Sequence, residues 1–437
     1  MNMSNTEKLF QFIEKSPTPF HVIVNMKRTL EKRGYKQLLE REEWKLEKGG
    51  KYYVIRNGSA MIAFRIPEAD FEGFQIVASH SDAPCLKIKE NPDLWSEQAY
   101  VRLNVEKYGG MICSTWFDRP LSVAGRLLVR SEEGVQVKLV QIDRDLLMLP
   151  SLAIHMNREI NTGYAYHVQK DMLPLYGMGT KGEKEPFMEM IAREAGVKIE
   201  DILGSDLYVY NRMPGSVWGS EEEFMSIGKL DDLECVYASV AGFLEAEESN
   251  RIPVHCVYDN EEVGSSTRQG AASTFLADTL ERIQEALGGS ASDYRRMIAG
   301  SMMLSADNAH AVHPNYTEKA CPSNRPLLNQ GVVIKFSGNQ RYTSDGISAA
   351  VFRSICEKAG VPTQVFTNHS DIAGGSTLGN ISALQVPVPC VDIGLPQLAM
   401  HSSYETAGAR DLEYMITAMR SFYEAAVEET GDGMKIR

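Results

Sequence analysis

Positive charge is the scarcer sign in this chain of 437 residues: 45 Lys and Arg stand against 58 Asp and Glu, a formal net charge of −13 at pH 7. Such a surface offers no electrostatic footprint for phosphate backbones or anionic lipid, which excludes nucleic acid as an expected partner. Long apolar runs are also missing, since no stretch approaches the ~18 residues needed to cross a bilayer. The opening segment, Met1 to Lys15, mixes Glu7, Lys8, Glu14 and Lys15 among its apolar residues, unlike the core of a signal peptide. No membrane partner and a cytoplasmic location are expected. Cysteine is sparse: there are seven, widely spaced, with no CxxC pair. That excludes a disulfide framework and a thiolate zinc finger, so any metal must be held by His and carboxylates.

What is present is a balance of 43% hydrophobic and 24% charged residues, enough for a sizeable core. At ~100–200 residues per domain, the length favours two domains or one domain carrying a large insertion. Asn5 to Tyr35 reads as helices, with Thr6 or Asn5 as cap and a break at Pro17 and Pro19. Phe74 to Ser79 is a short β-forming apolar run that delivers the polar cluster His80-Ser81-Asp82. From Leu230 onward helices and strands alternate: helix Leu230 to Glu248, strand Ile252 to Tyr258, helices Ser273 to Leu287 and Ser292 to Ala299, and strand Met302 to Ala306. Strand Val332 to Phe336, helix Gly346 to Ala359, strands Thr363 to Thr367 and Pro389 to Ile393, and a closing helix Leu412 to Glu429 complete the series. The pattern predicts an α/β fold, a mixed sheet covered by helices on both faces. Between Asn91 and Gly219 the period shifts to two, as in Val101 to Glu106, Leu121 to Val129 and Val135 to Ile142, which predicts an inserted β-rich domain. The expected division is 1–91 with 220–437 as one domain and 92–219 as the insertion.

Five places in the α/β part end a strand or open a helix with a metal-ligand type of side chain: His80, Asp231, Glu261-Glu262, Asp307 and His401. Ligands of open α/β sheets gather outside the carboxyl ends of the strands, and four of the five places fall there by pattern, so one cleft could collect them all. Two imidazoles, two terminal carboxylates and one carboxylate able to bridge are what a pair of close divalent cations requires, with one Glu left over as a base. Nitrogen and oxygen donors without thiolate suit Zn2+, with Mn2+ or Co2+ able to substitute. Adjacent side chains diverge, so Glu261 and Glu262 cannot easily chelate one ion together; one ligates and the other activates water. Asp82, two residues after His80, is placed to orient the imidazole.

The segments HSDAPCLKIK (His80 to Lys89), DNEEVGSSTRQG (Asp259 to Gly270), SADNAHAVHPNY (Ser305 to Tyr316) and QLAMHS (Gln397 to Ser402) together resemble the M18 metallopeptidases, the aspartyl aminopeptidase family. The resemblance runs through nearly the whole chain. It implies two zinc ions per subunit, one held by His80 and Asp307, the other by Glu262 and His401, with Asp231 bridging. Glu261 is then the general base and Asp82 the orienter of His80. The bridging motif reads Asp231-Asp232 where the family usually has Asp-Asn. The resemblance further implies dimers built through the insertion, assembled into a tetrahedral dodecamer, with His155 of LAIHMNR reaching a neighbouring subunit's site. Lys335 and Tyr342 of VVIKFSGNQRY match the region facing an acidic substrate side chain, and His310 also matches the motif. The function so implied is removal of an N-terminal Asp or Glu from peptides by a zinc-dependent aminopeptidase. A neutral-preferring or broad aminopeptidase, and a non-catalytic peptidase-like assembly protein, are the alternatives.

Overall fold

A computed structural model describes residues 3–437 of the chain. Its centre is a nine-stranded mixed sheet in the order Lys36–Leu38, Lys51–Arg56, Ala60–Arg65, Ile252–Tyr258, Phe74–His80, Met302–Ala306, Cys390–Gly394, Val332–Phe336 and Thr363–Thr367. Four middle strands, from Ile252–Tyr258 to Cys390–Gly394, run parallel. Their registers set Tyr258 beside His80 and Ala306 beside Ile393, so the strand ends form a common rim.

These strands are apolar on both faces because both are covered. Val77, Val257 and Leu304 point to one side, with Leu233 and Val236 of helix Leu230–Glu245, Phe352 of helix Gly346–Lys358, and Met415 and Met419 of helix Asp411–Glu424. Ile76, Ala78, Cys256 and Met303 point to the other, against Phe275, Leu280 and Ile283 of helix Phe275–Ala286. Period-two burial on both faces gives continuous apolar runs instead of alternation.

A second sheet, of six antiparallel strands, takes all its members from Cys85 to Asn211, in the order Gly134–Gln141, Leu121–Ser131, Ile202–Asn211, Cys85–Ser96, Tyr100–Tyr108 and Leu175–Met178. Helix Phe187–Ala195 packs Phe187 and Ile191 on its apolar face. Ser216–Trp218 pairs elsewhere, in a five-stranded sheet with Phe224–Ile227, Glu405–Gly408, Pro396–Leu398 and Ala309–His310.

Two local expectations differ. The first helix, Asn5–Glu14, is capped by Ser4, whose hydroxyl accepts from the Glu7 N–H while the Glu7 carboxylate accepts from the Ser4 N–H; that reciprocal pair outcompetes Asn5 or Thr6. The closing helix stops at Glu424, and Val427–Glu429 forms a two-stranded ribbon with Met434–Ile436. Ala425 leaves the helix in an extended conformation and Val427 is buried, so a β-branched residue that continued the helical period serves a strand instead. Among the described residues no helix is long and apolar enough to cross a membrane. All seven cysteines are free.

Candidate metal centre

The rim of the parallel strands carries the candidate residues. His80 is the last residue of its strand and Asp307 follows Ala306 directly. Glu261 and Glu262 lie on a single turn of 3-10 helix entered through Asn260, whose positive φ of 63° turns the chain sharply after its strand. Asp231 and Asp232 open helix Leu230–Glu245 with non-helical backbone angles after Lys229, itself at φ 62°, which carries the Asp231 side chain to the site instead of along the helix.

Two groups of donors result. Atoms of His80, Asp231, Asp232 and Asp307 lie within 4.8 Å of one another, as do atoms of Asp231, Glu262 and His401. Asp231 alone belongs to both. His80 Nε2 is 3.5 Å from Asp231 Oδ1, and His401 Nε2 is 3.3 Å from Asp231 Oδ2 and 3.4 Å from Glu262 Oε2. The other nitrogen of each ring faces a backbone carbonyl: His80 Nδ1 the carbonyl of Asp82 at 3.1 Å, His401 Nδ1 that of Gly110 at 2.7 Å. A carbonyl only accepts, so Nδ1 carries a hydrogen and, in the neutral ring, each Nε2 turns its lone pair toward carboxylate oxygens. Lone pair against anion is repulsive, and a positive charge must stand between them.

A proton meets that need in part. Burial disfavours the His401 imidazolium, but Asp231 outweighs it and pushes the ring up to about 9. The acids remain crowded: burial first, and neighbouring carboxylates after it, push Glu261 up to about 8, and Asp232, Glu262 and Asp307 are also raised. Three buried carboxylate oxygens, Asp231 Oδ1, Asp232 Oδ1 and Glu262 Oε1, accept no hydrogen bond. A structural cluster satisfies its buried acceptors with donors. Acceptors left without donors, converging with two imidazole lone pairs, fit divalent cations, and the all-N,O donor set fits zinc.

The remaining predicted residues divide. Asp82 is buried at the centre of a backbone clamp: Oδ1 accepts from the Glu261 N–H and Oδ2 from the Glu262 N–H, both at 3.1 Å, while Tyr108 donates its hydroxyl to Oδ2 at 2.7 Å. Its Oδ1 is also 3.4 Å from His80 Nδ1. Lys335 is 2% exposed. Its ammonium donates to the carbonyls of Asp307 (2.7 Å) and Asn308 (3.3 Å), lies 3.7 Å from Asp307 Oδ2, and sits over the Tyr342 ring at 5.3 Å. Tyr342 is buried against Phe366. His310 is exposed, edge-on to Phe366. His155 is exposed on a run of turns, outside both donor groups. A cavity of about 490 Å³ touches Asp82, Asp231 and Glu405, but Lys335 and Tyr342 are not among its walls.

Sequence reasoning missed three contributors. Glu405 accepts the backbone N–H groups of Asp231 and His401, Tyr108 holds Asp82, and the Gly110 carbonyl fixes the His401 ring. Each acts through or upon backbone or from a distant element, and no spacing advertises that.

The model for the aminopeptidase I zinc metalloproteases (M18) matches residues 12–423. A protein of Clostridium acetobutylicum named probable M18 family aminopeptidase 2 is 47% identical over 423 residues, 95% of this chain and 98% of that protein. Among solved structures, Ape4 in its complex with Nbr1 superposes with a TM-score of 0.91 at 34% identity, covering 96% of this chain and 85% of that one. The S. cerevisiae mApe1 dodecamer gives 0.84 at 27% identity, covering 96% of each chain. The chain therefore belongs to the M18 family of zinc metalloproteases and is, by class, a zinc-dependent aminopeptidase.

Proposed function

We propose that the protein removes the N-terminal residue, by preference Asp or Glu, from peptides at a centre of two zinc ions per subunit. The observation that carries the two-ion reading is the membership of Asp231 in both donor groups. His80 and Asp307 would hold one ion, Glu262 and His401 the other, and Asp231 would bridge. Asp232 spends one oxygen on the His80 N–H at 3.0 Å, which favours Asp231 over its neighbour as the bridge. Zinc, when bound, supplies Lewis acidity toward the peptide carbonyl and makes water a nucleophile near neutral pH.

The chain's own part is positioning and proton transfer. Glu261 belongs to neither donor group, so its carboxylate is left to take the proton of the attacking water and return it to the leaving amine. Asp82 holds the glutamate turn through two backbone hydrogen bonds and so sets where that carboxylate stands. The substrate's free α-amino group would be held by neighbouring carboxylates, which limits cleavage to the terminal residue.

Acidic preference rests on Lys335. Two of its N–H groups serve carbonyls and Asp307 Oδ2 lies 3.7 Å away, so a substrate carboxylate would compete with Asp307 for the third in a dry setting. Its anchoring of Asp307 gives it a structural duty as well, and this favours a second reading, a neutral-preferring enzyme. Because Lys335→Met loosens Asp307 for every substrate, the ratio of kcat/KM on Asp- and Leu-terminated peptides isolates the specificity role. That ratio should fall about 10–100-fold, the worth of a hydrogen bond to a charged group. An unchanged ratio assigns Lys335 to Asp307 alone; acetyl-blocked peptides should not be cut by either form.

The six-stranded unit, whose strands run from Cys85 to Asn211 and so start before and stop short of the 92–219 read from the sequence, is the proposed assembly module in a cytoplasmic homo-oligomer built from dimers toward the dodecamer described for mApe1. His155 stands among exposed Leu152, Ile154 and Met156, an apolar strip suited to burial against another subunit. If His155 completes a neighbour's site, mixing and reassembling His155→Ala with Glu261→Gln subunits should recover turnover that neither variant shows alone. No recovery from verified mixed oligomers would remove His155 from the site.

A further inference from the structure

Glu405 is buried on strand Glu405–Gly408 of the five-stranded sheet, outside the donor groups, yet it touches the backbone of two of their members. Oε2 accepts from the Asp231 N–H at 3.1 Å, and Oε1 accepts from the His401 N–H at 2.7 Å. The side-chain amide of Gln397 lies 3.5 Å from Oε1 as a weaker third donor. Both clamped residues sit where the backbone needs holding. Asp231 has ψ 105° at the mouth of a helix, and His401 has φ 67°, a conformation that a non-glycine side chain adopts at some cost.

We infer that Glu405 is a positioning residue that fixes Asp231 and His401 relative to each other and so acts chiefly on the affinity of one ion, the one between His401, Glu262 and Asp231. Neither His80 nor Asp307 receives a hydrogen bond from it, and their own anchors are Asp82 and Lys335. Of the ligands on the His80 side only the shared Asp231 is held by Glu405, whereas on the His401 side both Asp231 and His401 are. A carboxylate suits this place because both its oxygens accept. An amide offers one oxygen, and its NH2 would face the other backbone N–H donor to donor.

This inference rests on the two-ion reading, and the experiment separates their failures. Metal-stripped wild type, Glu405→Gln and Glu405→Ala are titrated with zinc against a competing chelator, and two dissociation constants are extracted, with His401→Ala marking which belongs to the His401 ion. Wild type should bind two ions; one ion only would overturn the two-ion reading. In Glu405→Gln the His401 ion should weaken about 10–100-fold, the usual effect of losing a partner that orients ligands, and the His80 ion, which shares only Asp231 with it, should weaken markedly less. Glu405→Ala should weaken it further, and excess zinc should restore turnover to Glu405→Gln. Two constants as in wild type, or an equal loss at both ions, would overturn the role assigned to Glu405. Should these variants fail to fold, Glu405→Asp keeps the charge while withdrawing the carboxylate from the two N–H groups. The same selective loss is expected there, and an unaltered His401 ion would refute the inference.

Discussion

Glu261→Gln should retain its zinc and its fold while kcat falls by about 10²–10⁴-fold, the range for a positioned acid–base group. The amide is nearly isosteric and the turn that carries it is held by backbone bonds to Asp82, so the substitution leaves the local architecture in place. It removes the capacity to accept and return a proton. The metal-binding titration should match wild type, because Glu261 lies in neither donor group. KM should change little. A variant with near-normal kcat would show that the proton goes elsewhere, and one that loses zinc would show that Glu261 is a ligand.

Asp231→Asn should have the opposite profile, losing both ions together with turnover. The side chain stands between two imidazoles, 3.5 Å from His80 Nε2 and 3.3 Å from His401 Nε2. As a carboxylate it presents oxygen to both lone pairs. As an amide it presents an NH2 to one of them, making a hydrogen bond that needs no cation and occupying the place of the bridge. The stripped variant should therefore melt at or above the temperature of stripped wild type. Zinc should no longer raise it, whereas wild type gains about 2.7 kcal/mol for each ion bound at a hundred times its dissociation constant. Thermal melts with and without zinc test this. A zinc response of wild-type size in Asp231→Asn would mean that the bridge is another residue, and Asp232 would then be the one to examine, since its Oδ1 accepts no hydrogen bond.

The contrast between these two residues shows what the sequence could carry. Strands Ile252–Tyr258, Met302–Ala306, Val332–Phe336 and Thr363–Thr367 were legible to the residue, because apolar β-forming runs bounded by polar turns have few other readings. The convergence of His80, Asp231, Glu262, Asp307 and His401 followed from strand-end chemistry and from the resemblance to a family. Helix ends were less legible. Ala425 could have continued a helix, and only the pairing with Met434–Ile436, invisible to local periodicity, draws Val427 into a strand. Glu405 and Tyr108 left no trace for a related reason. A side chain that bonds a distant backbone N–H or carboxylate has no partner type to match in sequence, and its neighbours SSY and EKY read as surface or strand. Only the resemblance to a family pointed to Lys335, which by itself reads as a strand-edge lysine, and its bonds to two carbonyls were not legible at all, because backbone carbonyls are everywhere.

The carbonyl of Gly110 that steadies the His401 ring belongs to the segment that follows strand Tyr100–Tyr108, and the same segment is laced to residues 401–403. Ile112 donates to the His401 carbonyl, Thr115 Oγ1 accepts from the Ser403 N–H, and Ser403 Oγ bonds the Thr115 carbonyl. The unit is thus stitched into the chemistry as well as appended to it. Anyone exchanging that unit between homologues to build chimaeras would do well to cut so that Tyr108, Gly110 and Thr115 travel with their counterparts at 401–403. A splice that ignores those stitches should yield an enzyme that folds and assembles but holds His401 at the wrong angle.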